Sequence, residues 1–520
     1  MPSPSSPRSR GRAAALALCL ILPLPGAASP QDWPAEWRDN PHLQVIRRTE
    51  KEGRRIRAVT RPATAFSAPE KFEKNSAGAA TVRARPTADA FSQPSANMSF
   101  ERELDFKVGD GFFRRVWISA PSSTQASDGL GPLFNARACQ RCHLKDGRGH
   151  PPQKGEAAQS MFLRISVPAD PDAEMAQIAG YIATAPEPRY GGQLQNFALP
   201  GIPAEGKMGI TYTDQPVTLA DNTVVTLRKP HYAVENPGYG PLAEDAMLSP
   251  RVAPQMIGMG MLEAIPADDI LAGADPDDVD GDGISGRPNL VWSRAYGRPM
   301  LGRFGHKAGV PTIRDQVASA FHGDIGLSSP LYPTASGDCT PEQTACLDAP
   351  DGNTGSQDGM EVSDATLDLV SFYSRNLAVP ARRDVEDPQV LRGKQLFYDS
   401  GCTSCHRPKF VTARLENRPE QSFQLIWPYT DMLLHDMGPG LADDRPEARA
   451  TGRKWRTAPL WGVGLTERVS GHTLYLHDGR ARSLLEAILW HGGEAETTKQ
   501  RVMAMPEPDR NALIRFLGSL

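Results

Sequence analysis

Two segments of the chain repeat one spacing. Leu133-Phe134 is followed by four residues and then by Cys139-Gln-Arg-Cys142-His143, and Leu396-Phe397 by four residues and then by Cys402-Thr-Ser-Cys405-His406. Two thiols separated by two residues, with a histidine directly after, form the attachment pattern of a c-type haem. The thiols add across the haem vinyl groups, and the adjacent imidazole reaches the iron. A zinc knuckle would need four ligands per site, and no second Cys/His cluster stands at finger spacing. A thioredoxin-like dithiol is the other reading, but thioether bonds would block both pairs. Two covalently attached haem c groups are therefore expected.

The compartment agrees with that chemistry. Arg8, Arg10 and Arg12 precede an apolar run, Ala13 to Leu24, and Gly26-Ala27-Ala28 follows it. That pattern predicts a secretory signal peptide over residues 1–28, with a run too short for a membrane span. Cys19 stands behind Leu18, which argues against a lipoprotein anchor. Losing three arginines and no acid moves the formal charge from −4 to −7. A mildly acidic chain has no electrostatic reason to bind nucleic acid. The expectation is a soluble protein of the periplasm with no membrane span in its mature form. Six cysteines would remain, four of them on haem. For Cys339 and Cys346 a local disulfide is favoured in an oxidising compartment, and a redox-active dithiol is the alternative.

The 47 glycines and 47 prolines point to a loop-rich structure. Residues 29–90, rich in Pro, Ala, Arg, Ser and Thr, read as a poorly ordered N-terminal arm or a surface-wrapping segment. Residues 100–119 alternate in places, at Phe106 and Val108 and then at Phe112, Phe113, Val116 and Ile118, which suggests one or two strands. Residues 205–235 look β-rich, with an Asp221-Asn222 turn. Leu369, Phe372, Tyr373 and Leu377 mark a helix face. A helix from Asp387-Pro388 runs toward Cys402, and Leu513, Phe516, Leu517 and Leu520 mark another helix at the end. Two such helices crossing around a haem segment describe a cytochrome c fold. The expected fold class is mainly α: two cytochrome c-like haem domains with a β-rich excursion and long loops. The boundaries would be an N-terminal haem domain at 91–379, carrying the β-rich insertion, and a C-terminal cytochrome c domain at 380–520.

Longer stretches carry a resemblance. Gly129 to Gly149 around the first cysteine pair, Ser249-Pro-Arg-Val-Ala-Pro-Gln-Met-Ile-Gly-Met-Gly-Met-Leu-Glu263-Ala-Ile-Pro, and Asp280-Gly-Asp-Gly-Ile-Ser-Gly-Arg-Pro-Asn289 resemble the di-haem oxidoreductase family. Arg456-Thr-Ala-Pro-Leu-Trp and Leu476-His477-Asp-Gly-Arg-Ala-Arg-Ser-Leu follow the same pattern. The family is similar to bacterial di-haem cytochrome c peroxidases and to the di-haem enzyme of methylamine utilisation, and the resemblance covers roughly residues 90–520. It implies a haem with a strong sixth ligand and another that binds peroxide. In the peroxidases a His-x-Gly precedes a short helix with an axial methionine near its end. Here His477-Asp-Gly starts that element, and His491 falls where the methionine would be. His491 is thus the expected sixth ligand of the second haem, with Met437 the runner-up. For the first haem no ligand stands out among His150, His231, His306 and His322. His306 occupies a position where the resemblance implies tryptophan, so it is either an added iron ligand or a hydrogen-bonded interior histidine. Trp292 becomes the relay candidate, against a packing role.

Peroxide reduction also needs an acid/base to move a proton between the two peroxide oxygens. The resemblance implies a Gln and then a Glu. Gln316 stands at the Gln spacing, but the Glu position falls on Gly326, leaving Asp324 and Glu263 as the carboxylates. Burial would raise the pKa of Glu263. Asp278, Asp280 and Asp282 alternate before Gly283, as at the start of an EF-hand loop, although Asn289 stands where the closing glutamate belongs. Calcium is the expected ion there, against a solvated acidic loop. The first functional reading is an enzyme that passes electrons from a small periplasmic cytochrome c or cupredoxin through the C-terminal haem to the N-terminal haem, reducing hydrogen peroxide or another small oxidant. The second is an electron-transfer protein without turnover, serving a partner such as an iron-uptake system.

Overall fold

The computed structural model describes, beyond Met1, residues 33–153 and 155–520. The expected signal peptide falls outside the described residues. Helix accounts for 29% of the chain and strand for 18%. The strands form six two-stranded sheets and one three-stranded sheet. The expectation of a mainly α fold made of two cytochrome c-like domains is therefore corrected: α and β elements are mixed throughout. Long Pro- and Gly-rich connections must pair their backbone groups somewhere, and they do so in short antiparallel pieces that periodicity does not reveal.

Two helix crossings flank the centre. Phe100–Arg114 crosses Asp364–Asn376, and Pro388–Asp399 crosses Glu507–Ser519. The strands expected across residues 100–119 are a helix instead. Its buried residues are Phe106, Gly109 and Phe113, at i, i+3 and i+7, a helical stripe that the partial alternation obscured. Each crossing is closed by a glycine. A β-carbon at Gly109 would overlap the Leu369 carbonyl, and one at Gly393 would overlap the Ala512 carbonyl. Aromatic rings fill the rest: Phe106 and Phe113 lie 4.8 and 5.1 Å from Tyr373, and Phe397 lies 5.3 Å from Phe516. Asp387 caps the helix that leads to Cys402, its side chain accepting from Gln389 N at 2.8 Å with Pro388 in the first turn.

Residues 29–90, expected as a poorly ordered arm or a surface-wrapping segment, pack onto the rest of the chain over their described residues. Thr49 and Glu52 form a capping box on the Glu50–Val59 helix. Val45 and Ile46 pair with Leu415 and Arg414. Glu73, fully buried, meets Arg382 and accepts from Lys394 at 2.7 Å, and Lys394 also donates to Glu70 at 2.9 Å. Buried charges are tolerated only when paired, so this cluster locks the arm onto the C-terminal part of the chain.

The β-rich excursion forms as expected. Lys207–Thr218 and Val224–Glu235 pair antiparallel over twelve rungs, and Asn222 takes a left-handed turn conformation with φ 65°. Its turn end reaches across the molecule. Asp221 pairs with Arg510 at 2.7 Å, and Leu219 and Leu227 pack with Trp455, Tyr475 and Trp490. Cys339 and Cys346 form a disulfide. Among the described residues no helix is long and apolar enough to cross a membrane.

Candidate functional site

One cavity of about 830 Å³ is lined by both Cys-x-x-Cys-His segments. At one end the helical turn Cys139–Cys142 presents both thiols, and His143 follows. His143 Nδ1 lies 2.8 Å from the Pro254 carbonyl. At the other end His406 Nδ1 lies 2.9 Å from the Tyr429 carbonyl. A carbonyl can only accept, so Nδ1 donates, and each Nε2 keeps its lone pair for a metal. Burial lowers both imidazoles to a pKa of about 4, so they stay neutral, as ligands must be. Burial also pushes the thiols of Cys139 and Cys402 up to about 12. Such thiols are poor nucleophiles, which speaks against a dithiol redox reading.

The wall between the two ends is cationic. Arg148 donates to the carbonyls of Leu474 and Leu476, and Arg456 to those of Gly305 and Thr457. Among the described residues neither forms a salt bridge, and burial lowers each to about 10 against the opposing pull of Asp478 on Arg148 and Asp431 on Arg456. Buried guanidinium groups bonded only to carbonyls suit the propionates of a haem. The donor set and the cationic wall therefore fit two haems.

The ends differ in what faces the histidines. At the second end, Ser483 caps the Leu484–Leu489 helix and His491 stands just past its C-terminus. His491 Nδ1 lies 2.7 Å from the Ala487 carbonyl, leaving Nε2 free. His491 and Met437 line the cavity with His406. Sequence reasoning missed His435, which lies between two carboxylates, with Nε2 2.8 Å from Asp431 and Nδ1 2.7 Å from Glu494. Burial alone would lower its pKa, but Asp431 holds it well above the ordinary value. The His435-Asp-Met437 motif is visible in the sequence; the contact with Glu494, 59 residues away, is not.

Gln316 and Asp324 both line the cavity, Asp324 close enough to Cys139 to act on its thiol. They stand on the Ile313–Ala320 helix and the π-helical turn Phe321–Ile325 that continues it. Burial raises the Asp324 pKa, and Gln193 Nε2 donates to its carboxylate at 2.9 Å. Gly326, where the resemblance implies glutamate, has φ +80°, and a β-carbon there would press on Gly131 Cα at 2.7 Å. A side chain at that position would clash with this backbone.

Glu263 does not line the cavity. Its carboxylate accepts from Ile313 N at 2.8 Å and Arg375 Nε at 3.3 Å, and pairs with Arg418. The expected rise in its pKa is overturned: burial pushes upward, but Arg418 and Arg375 hold it well below the usual carboxylate range. His306 Nε2 donates to the Val252 carbonyl at 2.9 Å, the hydrogen-bonded interior reading. His150, His231 and His322 stay off the cavity. Trp292 lines it, in the strand Leu290–Ser293. Trp455 lines it too, stacked on His477 at 3.7 Å between ring centroids. His477 Nε2 is buried and makes no hydrogen bond among the described residues, with Asp478 3.8 Å away.

In the acidic loop, Asp275, Asp278 and Asp280 converge, each with a carboxylate oxygen within 4.8 Å of the others. Asp282, expected in that set, instead accepts from Ile284 N at 2.8 Å, and Asp275 takes its place. Ser285, at the loop's end, donates to Glu494 at 2.6 Å, which ties the loop to His435.

A cavity lined by two Cys-x-x-Cys-His segments, with neutral histidines and buried arginines, suits a di-haem redox protein. The chain belongs to the family described as "Di-haem oxidoreductase, putative peroxidase", which it matches over residues 71–520, and its cofactors are haems. No curated protein matches the chain significantly. Among solved structures, Kuenenia stuttgartiensis hydrazine synthase pressurised with 20 bar xenon is similar at 15% identity over 39% of this chain and 70% of that one. Its TM-score of 0.21 is too low to carry an argument.

Replacing Glu263 by Gln should cost about 3–5 kcal/mol near neutral pH, because two buried guanidinium groups lose their counter-charge. The folded-state pKa of Glu263 is depressed, so its contribution is present above the ordinary value of 4.5 and drains away as pH falls below it. Melting temperatures of wild type and Glu263→Gln should therefore converge in acid. A gap that stays constant would contradict this.

Proposed function

We propose that this protein is a periplasmic di-haem c-type oxidoreductase that reduces hydrogen peroxide. Electrons come singly from a small donor, a cytochrome c or a cupredoxin, at the C-terminal site. Two of them, with two protons, convert peroxide to two waters at the N-terminal site. Bound haem supplies electron storage and the iron that holds peroxide; the chain supplies attachment, orientation and proton movement. Cys139, Cys142, Cys402 and Cys405 carry the thioether bonds, and His143 and His406 the proximal contacts. His491 closes the sixth position at the C-terminal site.

Asp324 moves a proton from the inner to the outer peroxide oxygen, and Gln316 orients the bound molecule. The observation that carries this reading is the asymmetry of the cavity. An enclosed acid without a salt bridge among the described residues, Asp324, lies near Cys139 at the first end, while a histidine whose Nε2 makes no hydrogen bond among the described residues stands at the second. Electron transfer alone would need no such acid. Asp324 sits two residues before the implied glutamate position, and a misplaced group of this kind costs up to about 10²-fold in rate. Turnover should be correspondingly modest.

Calcium belongs, in this reading, to Asp275, Asp278 and Asp280. Converging carboxylates repel without a cation, and the Ser285–Glu494–His435 chain gives the loop a path to the C-terminal site.

Asp324→Asn should lower peroxide consumption about 10²-fold while cyanide binding at the N-terminal haem persists. Wild-type protein that neither binds cyanide nor consumes peroxide would leave the electron-transfer reading standing. His491→Ala should convert one low-spin haem signal to high spin; an unchanged spectrum would point to Met437. Metal analysis should find calcium, and chelation should slow transfer between the haems or lower the melting temperature. Neither effect, with no calcium found, would reduce the loop to a solvated turn.

A further inference from the structure

Asp324 reaches the cavity through a break in helical phase, and that break is held from outside. In the turn Phe321–Ile325 the Gly326 N–H is shared between the His322 carbonyl, at 3.1 Å, and the Phe321 carbonyl, and the Leu327 N–H reaches the Phe321 oxygen at 2.9 Å. Continued as an α-helix, residue 324 would stand roughly 80° around the axis from residue 316. At the wider π pitch the last four residues return it to within roughly 10°. The turn is what sets the acid over Gln316.

Such a turn leaves carbonyls without helical partners, and here every one is taken by a group from another segment. Gly323 O accepts from Gln195 Nε2 at 2.8 Å and Gln193 Nε2 at 3.3 Å. Asp324 O accepts from Asn135 N at 2.9 Å and Ala136 N at 3.1 Å, and Ile325 O from Gly131 N at 3.0 Å. The same Gln193 amide donates to the Asp324 carboxylate at 2.9 Å and to Asn135 Oδ1 at 2.5 Å. All its neighbours are oxygens, so the amide can be oriented only one way. Gln193, Gln195 and Asn135 are 1%, 2% and 0% exposed. Leu194 N donates to Leu163 O, which pins the glutamine segment to the strand Met161–Pro168.

We propose that Gln193 and Gln195 are positioning residues, an amide clamp that holds the π turn open and aims the Asp324 carboxylate along the Gln316 face of the cavity. This rests on Asp324 being the acid of the N-terminal site. The segment 131–136, which leads directly to Cys139, closes the other side of the same turn. The acid and the haem-attachment loop are thus one unit, and the clamp sets the distance between them.

The test uses full-length, haem-loaded protein. Gln193→Met and Gln195→Met remove the amides while keeping comparable volume. Each should lower peroxide consumption by about 10- to 100-fold with cyanide affinity unchanged. Neither should add to the loss in Asp324→Asn, because both act through that carboxylate. Gln193→Met, which removes a donor to the carboxylate, should also shift the acid limb of the pH–rate profile upward; Gln195→Met should not. Losses that add to Asp324→Asn, or wild-type turnover in both variants, would overturn the clamp. Hydrogen exchange at the Gly326 and Leu327 amides decides independently of turnover: both variants should exchange faster there, and unchanged protection would overturn the proposal. Should Asp324→Asn itself retain full activity, the acid assignment fails, and the exchange result still decides whether the glutamines hold the turn.

Discussion

Two backbone carbonyls, those of Pro254 and Tyr429, govern the geometry of this molecule. Each takes the Nδ1 proton of a proximal histidine and leaves Nε2 facing the cavity. The cysteine pairs come from local sequence, but the direction of each imidazole depends on a carbonyl 111 or 23 residues away. Pro254 follows the strand Met247–Val252, which pairs with Met161–Pro168. The strand Met161–Pro168 also holds the segment of Gln193 and Gln195, through Leu194 N to Leu163 O, so the carbonyl that meets His143 and the amides that meet Asp324 hang on one strand.

The same five-residue motif appears twice, and its surroundings make the two copies unequal. At the first copy the facing wall carries an acid and amides. At the second it carries His491, Met437 and a histidine held between Asp431 and Glu494. Asp431 and Glu494 hold His435 protonated at the second end, while burial raises the Asp324 carboxyl at the first, so identical attachment motifs meet different electrostatic surroundings.

Chain order does not match spatial order. The hairpin over Lys207–Thr218 and Val224–Glu235 belongs to the first half of the chain, yet its turn is held by Arg510 and its face by Trp455 and Trp490. The arm before the first cysteine pair is anchored by Arg382 and Lys394. Breaking such a buried cluster strands charges without partners, so the two halves should unfold together rather than separately.

Much was legible in the sequence wherever spacing along the chain carries the information. The cysteine pairs, the hairpin with its Asp221-Asn222 turn, and the Cys339–Cys346 pair are all local patterns. Tertiary structure decided the rest, because those properties depend on groups distant in sequence. Glu263 in its apolar context reads as a carboxyl with a raised pKa, and only folding brings Arg375 and Arg418, 112 and 155 residues away, to reverse that shift. Residues 100–114 alternate weakly, and Tyr373 decides that they form a helix by packing against Phe106 and Phe113. Asp282 has the right spacing for a cation loop, but the path of the backbone puts Asp275 there instead. Gly326 in sequence is merely a missing glutamate. In the fold it is a close backbone contact with Gly131 at the end of a π turn, where a side chain would clash.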